Sequence, residues 1–143
     1  MVNRTTIKVR GYHLDMFRHV NNARYIEFLE EGRWAFFEET PNFMEWPKGS
    51  AFVVVNINIS YRQSASIGDT LEIRTCISHL GAKSGALRQK IILQGTDTVV
   101  AEADVTFAMV DRNTQKALPF EGDLLNFFET LRDAETPPPS VSD

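Results

Sequence analysis

The chain has 143 residues, of which 43% are apolar, 24% charged and 10% aromatic, and this is the composition of an ordinary globular domain. Its 15 basic and 19 acidic residues give a net charge of -4, which argues against a nucleic-acid binder driven by bulk charge. The single cysteine, Cys76, excludes a disulfide framework and a cysteine-built zinc site, and the three histidines lack metal-ligand spacing, so no metal is expected.

The sequence carries no membrane-span or secretion signal. The longest strictly apolar run, 51–55, is far shorter than the ~20 residues of a membrane span, and the N-terminal residues lack the apolar core of a signal peptide. We therefore expect one cytoplasmic domain over residues 1–133, without membrane insertion. Residues 134–143 contain three consecutive prolines, acidic residues and serines, which predict a disordered tail.

The first two predicted elements are a strand and a long helix. A strand is expected around residues 6–12. The segment 22–39 contains no proline and is predicted to form a helix, which ends at Thr40-Pro41. Asn21 or Asn22 is a suitable N-cap. A stripe at i, i+3, i+4 and i+7 spacing gives this helix a broad apolar face, formed by Tyr25, Phe28, Leu29, Gly32 and Phe36.

Four further strands follow the helix. The alternation between residues 52 and 62 predicts a long strand whose buried face holds Val53, Val55, Ile57, Ile59 and Tyr61. Segments around 71–77, 87–93 and 99–109 alternate in the same way, and turns between consecutive strands predict an antiparallel meander. A short helix over 124–131 closes the chain. The fold class is therefore α+β, with one helix packed on one antiparallel sheet of about five strands.

The segment YHLDMFRHVNNARY, residues 12–25, is the candidate site. It joins the first strand to the long helix and places a carboxylate, Asp15, and an imidazole, His19, just before the helix N-terminus at Asn22. Unpaired N–H groups in the first turn of a helix stabilise an oxyanion, and a nearby carboxylate attacks a carbonyl or activates water. The residues alone leave a structural interpretation open, in which Asp15 caps a turn and His19 only packs.

This segment resembles the hotdog-fold acyl-CoA thioesterases of the 4-hydroxybenzoyl-CoA thioesterase type. The family pattern is an aspartate, a His-Val-Asn-Asn-like element and a tyrosine ten residues after the aspartate, and here these are Asp15, residues 19–22 and Tyr25. Within the family, the strongest likeness is to bacterial long-chain acyl-CoA thioesterases, through the segments KVRGYHLD, HVNNARY, EFLEE, AFVVVNINI and TQKAL. The resemblance covers about residues 5–131.

The resemblance implies a hotdog fold, in which an antiparallel sheet wraps one long central helix and the active sites lie at a dimer interface. It implies hydrolysis of acyl-CoA, with medium to long acyl chains and no cofactor. The catalytic aspartate maps onto Asp15 and the oxyanion donor maps near Asn22. His19 replaces a glycine found in many relatives and is a candidate second polar group, while Tyr25 is a candidate substrate contact.

Other polar residues are weaker candidates for binding substrate. By the same resemblance, the turn at 81–85 lies near the CoA entrance, so Lys83, Ser84 and Arg88 are candidate phosphate contacts, although a solvated turn explains them equally well. Arg62, at the end of the long strand, is another candidate phosphate contact. Asn58, on the polar face of that strand, is a candidate contribution from a second subunit. Glu30 and Arg33 have the i, i+3 spacing of a structural ion pair.

Two alternatives to hydrolysis remain open at this point. A hotdog dehydratase or hydratase would use an Asp–His pair, for which Asp15 and His19 are candidates, and a non-catalytic domain would bind acyl-CoA without cleaving it. The moderately polar outer face of the long strand favours a homodimer or homotetramer.

Overall fold

The described part of the chain contains five strands and two helices. The computed structural model describes residues 1–40 and 46–134, so the predicted tail, 134–143, lies outside the described residues except for Ala134. The elements are β1 (Val2–Lys8), α1 (Asn22–Glu38), β2 (Ser50–Tyr61), β3 (Thr70–Leu80), β4 (Gly85–Leu93), β5 (Val99–Asp111) and α2 (Gly122–Asp133), with one-turn 3-10 helices at Gly11–His13 and Pro47–Gly49. The predicted order of elements and the α+β class are confirmed.

The strands form one antiparallel sheet in the order β1-β3-β4-β5-β2. The predicted meander is therefore correct only for β3, β4 and β5, because β2 pairs with β5 and β3 pairs with β1. Residues 62–69, which connect β2 to β3, are too many for a tight hairpin and cross the end of the sheet. There the Arg62 N–H donates to the Val100 carbonyl and the Val20 N–H donates to the Ala65 carbonyl.

The predicted buried face of β2 is wrong in its first half. A β-bulge at Val55 shifts the register, because Val54 pairs with Phe107 and Asn56 pairs with Thr106. One extra residue reverses which side chains face the core, so Val53 and Val55 are exposed while Phe52 and Val54 pack against the core. Beyond the bulge, Ile57 and Ile59 face the core as predicted. Tyr61 is 44% exposed and not buried.

Helix α1 packs its apolar stripe on the inner face of the sheet, mainly against β1 and β3. The approach is closest at Gly32, where an added Cβ would lie 2.5 Å from the Ile73 side chain and 2.9 Å from Nε2 of Gln89. Gln89 is fully buried, and its Nε2 donates to the Leu29 carbonyl at 2.9 Å. A side chain at residue 32 would prevent this contact, so glycine fixes the distance between helix and sheet.

Candidate active site

A tight loop places Asp15 beside the start of α1. Leu14 and Val20 form an isolated antiparallel bridge, and the Asp15 N–H donates to the His19 carbonyl at 2.9 Å. Arg18 has a φ of 63°, in the left-handed region, which lets the chain reverse within these few residues. The loop therefore brings Asp15 and His19 together immediately before the helix.

The Asp15 carboxylate is held by its own loop. Its Oδ1 accepts hydrogen bonds from the N–H of Phe17 at 2.9 Å and of His19 at 3.3 Å. Within the described parts of the chain, Oδ2 accepts no hydrogen bond. Asp15 is half-buried and faces a cleft, so one oxygen fixes the geometry and the other is available to a substrate or water.

The N-terminus of α1 supplies a backbone hydrogen-bond donor for an oxyanion. Of the two predicted N-cap candidates, Asn21 is the N-cap, and its side-chain Oδ1 accepts from the Ala23 N–H at 2.9 Å. The N–H of Asn22, the first helical residue, has no acceptor among residues 1–40 and 46–134. This N–H stands at the positive end of the helix dipole, where an oxyanion is stabilised.

A cleft of about 260 Å³, here called the Asp15 cleft, is lined by both the Asp15 side chain and Asn22 at the start of α1. Five of the predicted site residues line it, and Val20, Tyr61, Gln63 and Ser64 complete the lining; the five are Asp15, His19, Asn22, Tyr25 and Arg62. The arrangement joins a carboxylate to a helix N-terminus in one concavity.

Tyr25 forms the buried wall of this cleft. Its ring is 3% exposed and its hydroxyl oxygen accepts a hydrogen bond from the Ala65 N–H at 3.3 Å. Burial raises the pKa of the Tyr25 phenol above its ordinary value, and the negative charge of Asp15 raises it further. Tyr25 is therefore a neutral donor next to the Asp15 carboxylate.

The remaining predicted substrate contacts lie outside this cleft. Arg88 and Asn58 are on the outer face of the sheet, where each is the strand partner of Asp104. Lys83 and Ser84 are exposed in the β3–β4 turn, next to the Gly85 that pairs with Phe107. At the cleft, Tyr61 pairs with Ala101 of β5, the strand that also contains Phe107. The distance along β5 from Ala101 to Phe107 is about 20 Å at ~3.4 Å per residue, so the β3–β4 turn lies that far from the cleft.

Two of the predicted phosphate contacts, Arg62 and Arg88, are engaged in ion pairs. Arg62 lies 3.0 Å from the Glu102 carboxylate, and Arg88 lies 3.2 Å from Glu102 and 3.0 Å from Asp104. The hydrogen bond from Arg62 lowers the pKa of the Glu102 carboxyl. Arg62 thus reaches the cleft while it is held by a carboxylate. The predicted Glu30–Arg33 ion pair does not form, because Arg33 donates to Oε1 of Gln89 at 3.2 Å instead.

Apart from Arg62, sequence reasoning missed the contribution of Tyr61 and the β2–β3 connection. Tyr61 donates its hydroxyl to the Asn22 carbonyl at 3.2 Å, and Gln63 and Ser64 follow it along the cleft. The alternation of β2 assigned Tyr61 to the core, and no local signal marked the polar residues after it. Only the pairing of β2 with β5 brings this segment next to residues 15–22.

Two structural findings bear on the predicted absences. In the described ranges, no group of three or more His, Cys, Asp or Glu side chains is arranged to hold a metal ion. Neither α1 nor α2 has the length and apolar character needed to cross a bilayer.

Comparison with known proteins defines the class. Residues 9–128 match the model of the thioesterase-like superfamily. The chain belongs to this superfamily, which confirms the family predicted from the sequence.

Individual relatives agree with this assignment. The chain is 51% identical over 129 residues to the long-chain acyl-CoA thioesterase FadM of Escherichia coli K12, covering 89% of this chain and 97% of the relative. The crystal structure of the "probable thioesterase" YbaW from Escherichia coli superposes with a TM-score of 0.85 at 50% identity, covering 91% and 98% of the two chains. A mutant 4-hydroxybenzoyl-CoA thioesterase with bound 4-hydroxybenzoyl-CoA shares the fold, with a TM-score of 0.78 at 19% identity over 92% and 99%.

Proposed function

We propose that this chain hydrolyses long-chain acyl-CoA thioesters to the free acid and CoA. The observation that carries the proposal is the shared cleft of Asp15 and Asn22, in which a half-buried carboxylate lies next to an unpaired N–H at a helix N-terminus. The 51% identity to a long-chain acyl-CoA thioesterase supports the substrate class.

The cleft provides the two groups that thioester hydrolysis needs. The thioester carbonyl oxygen accepts a hydrogen bond from the Asn22 N–H, which strengthens as negative charge develops in the tetrahedral transition state. Asp15 acts on the carbonyl carbon from the opposite side, and the neutral Tyr25 phenol is available to the acyl carbonyl or to water. His19, exposed at the edge of the cleft, is a candidate donor to the departing thiolate.

Asp15 has two chemical routes to the free acid and CoA. In the first, Oδ2 attacks the carbonyl carbon, the C–S bond breaks with CoA leaving as thiolate, and water hydrolyses the mixed anhydride. In the second, Asp15 takes a proton from water, which attacks directly and gives the acid and CoA in one displacement. Repeated turnover in ¹⁸O-labelled water followed by peptide mass spectrometry distinguishes them, because water that attacks Cγ of the anhydride leaves ¹⁸O in the Asp15 carboxylate, whereas the second route never labels it.

Replacing Asp15 with asparagine tests the proposal. Asparagine retains an oxygen that accepts from Phe17 and His19, so the loop keeps its geometry while the anion is lost. We expect kcat/KM for palmitoyl-CoA to fall by at least about 100-fold, the size typical of a lost general base, with an unchanged melting temperature. The rate of thiol release from acyl-CoAs of increasing chain length gives kcat/KM for the wild type and the variant.

The matched control is Asp69→Asn. Asp69 is a second loop carboxylate at the same end of the molecule, and its Oδ2 accepts from the Ser66 N–H at 2.9 Å. This variant should retain activity within about threefold of wild type. Equal activity of wild type and the Asp15→Asn variant would disprove the assignment of Asp15. Hydration of an enoyl-CoA in the absence of thiol release would favour the hydratase alternative, in which Asp15 and His19 move the proton.

The same proposal covers the domain architecture, the cellular compartment and the assembly of the protein. Residues 1–133 form one hotdog domain whose sheet wraps α1 as the central helix, and the chain acts in the cytoplasm. Homodimers or homotetramers bring a second copy to the cleft. In that assembly Asn58, Lys83, Ser84 and Arg88, which lie away from Asp15 in one chain, contact the CoA moiety bound to the partner.

A further inference from the structure

A polar pocket lies where β2 begins, β5 ends and α2 begins. Its volume is about 330 Å³, and its lining includes one hydroxyl, three carboxylates and two leucine side chains, which belong to Ser50, Asp111, Glu121, Asp123, Leu118 and Leu124. Ser50 and Tyr61 are the two ends of β2, which are about 36 Å apart at ~3.3 Å per residue. Because Tyr61 lines the Asp15 cleft, this Ser50 pocket is a separate site.

Ser50 contributes a buried hydroxyl that has no partner. The residue is 1% exposed, and its Oγ makes no hydrogen bond within residues 1–40 and 46–134. Its backbone carbonyl is paired, since it accepts from Nε of Arg112 at 3.2 Å. Buried polar atoms are normally hydrogen-bonded, so the unpaired hydroxyl in the lining indicates a polar group that enters the pocket.

Asp111 places a fixed negative charge beside this hydroxyl. It is the direct strand partner of Ser50, so the two side chains lie on the same face of the sheet with their Cβ atoms about 5 Å apart. Its Oδ1 accepts from the N–H groups of Thr114 at 2.9 Å and Asn113 at 2.8 Å. These hydrogen bonds, that of Thr114 first, lower the pKa of the Asp111 carboxyl, which is therefore an anion held in place by its turn.

The pocket has more negative charge than its own lining balances. Its described lining contains three carboxylates and no basic side chain. Asp123 lies in the first turn of α2, where a carboxylate compensates the positive end of the helix dipole. Glu121 is the exposed N-cap, and its side chain makes no capping hydrogen bond. The charges of Asp111 and Glu121 are therefore available to a cation.

The arrangement of the carboxylates favours an organic cation. Across the part of the chain that the structure describes, no three acidic side chains are placed to share one metal ion. An aliphatic ammonium group donates three hydrogen bonds, which suits a hydroxyl beside a carboxylate. Leu124 is buried and Leu118 is half-buried, so both offer an apolar surface to methylene groups.

We propose that the Ser50 pocket binds an aliphatic diamine. One ammonium group donates to Oγ of Ser50 and to the Asp111 carboxylate, and the second pairs with Glu121. The methylene chain lies along Leu118 and Leu124. The site goes beyond the proposed function and does not depend on it, because binding here requires no step at Asp15.

Titration calorimetry with cadaverine, a five-carbon diamine, tests the proposal. Binding should be saturable with one site per chain and should weaken in high salt, which screens the charges. Pentylamine, which has one ammonium group, should bind at least about fivefold more weakly, since one charge-assisted pair is lost. Pentanol, which has none, should give no measurable binding.

Variants locate the two ammonium groups. Asp111→Asn retains an oxygen for the two N–H groups of its turn and should weaken cadaverine binding about tenfold, as should Glu121→Gln. Ser50→Ala should weaken it about threefold. Asp97→Asn removes the same charge from an exposed carboxylate outside the pocket and should bind as wild type. Because Glu121 is exposed, its variant gives the answer even if Asp111→Asn fails to fold.

Failure of this proposal is distinguishable from failure of the proposed function. Asp15→Asn should bind cadaverine as wild type does even where it abolishes hydrolysis. Equal binding of cadaverine and pentanol, or equal loss of affinity in Asp97→Asn and Asp111→Asn, would overturn the diamine site. So would affinity that falls as the protein concentration rises, because a second copy would then cover the pocket.

Discussion

Gln89 is the residue that connects helix α1 to the sheet. It is a fully buried amide whose Nε2 donates to the Leu29 carbonyl and to Thr75 Oγ1, both at 2.9 Å, while its Oε1 accepts from Arg33. A buried amide is stable only when its donors and acceptor are paired, and here each is. Gly32 makes these bonds possible because it leaves room for the amide against the helix backbone.

Gly32→Ala reports on this close approach. In an exposed helix the change stabilises by about 1 kcal/mol, but here the new methyl would lie 2.5 Å from Ile73 and 2.9 Å from Gln89. Overpacking costs ~1–3 kcal/mol, and the helix-propensity gain of about 1 kcal/mol offsets part of this, so we expect a net loss of roughly 1 kcal/mol in the free energy of unfolding. Chemical denaturation measures it, with Glu31→Ala at an exposed position of the same helix as the control. A stabilised Gly32→Ala variant would contradict the tight contact.

At the scale of elements, the β2 bulge decides which valines reach the core. Val54 is partly buried and packs on the core, whereas Val55 is 57% exposed. Their order along the chain gives no reason to separate them, because both belong to the same apolar run. The bulge inserts one residue opposite β5 and so reverses the alternation.

Threonine replaces valine with nearly the same shape and adds one hydroxyl, which makes Val54→Thr and Val55→Thr a matched pair. We expect Val54→Thr to lower the free energy of unfolding by about 1–2 kcal/mol, because its hydroxyl enters the core without a partner. Val55→Thr should change it by less than about 0.5 kcal/mol, as at most surface positions. Equal effects of the two variants in urea denaturation would contradict the position of the bulge.

At the scale of the whole molecule, one buried imidazole links stability to pH. His13 is 8% exposed, and its Nδ1 accepts a hydrogen bond from the Arg10 N–H at 2.9 Å, which requires the neutral ring. Burial lowers the pKa of His13 below its ordinary value of 6.5, and the positive charge of Arg24 lowers it further. The unfolded chain therefore binds a proton more readily than the folded one below about pH 6.5.

This difference predicts a loss of stability on acidification. The His13 contribution should be complete above pH 6.5 and should decline as the pH falls through the lowered pKa of the folded state. His13→Gln should have a flatter dependence of melting temperature on pH between 7 and 5, with a lower value at pH 7. His79→Gln, at an exposed histidine, is the control. If the slope of His13→Gln matched that of wild type, His13 would not be the responsible group.

The α+β class, the order of the elements and the segment that lines the Asp15 cleft follow from the amino-acid sequence alone. These depend on local physics, since Asn21 caps the helix, period-two alternation marks strands, and residues 15–25 adjoin the helix start along the chain. The Asp15, His19, Asn22 and Tyr25 cluster was predictable for the same reason, because all four lie within eleven residues.

Three features depend on the three-dimensional fold: which strands are neighbours, where the bulge lies, and what surrounds the predicted residues. The position of β2 beside β5 brings Tyr61, Gln63 and Ser64 to the Asp15 cleft. Arg33 pairs with Gln89, 56 residues away, and not with Glu30 on its own helix. Such contacts depend on sheet order and close packing, which arise from the free energy of burying the whole core and not from any pattern between adjacent residues.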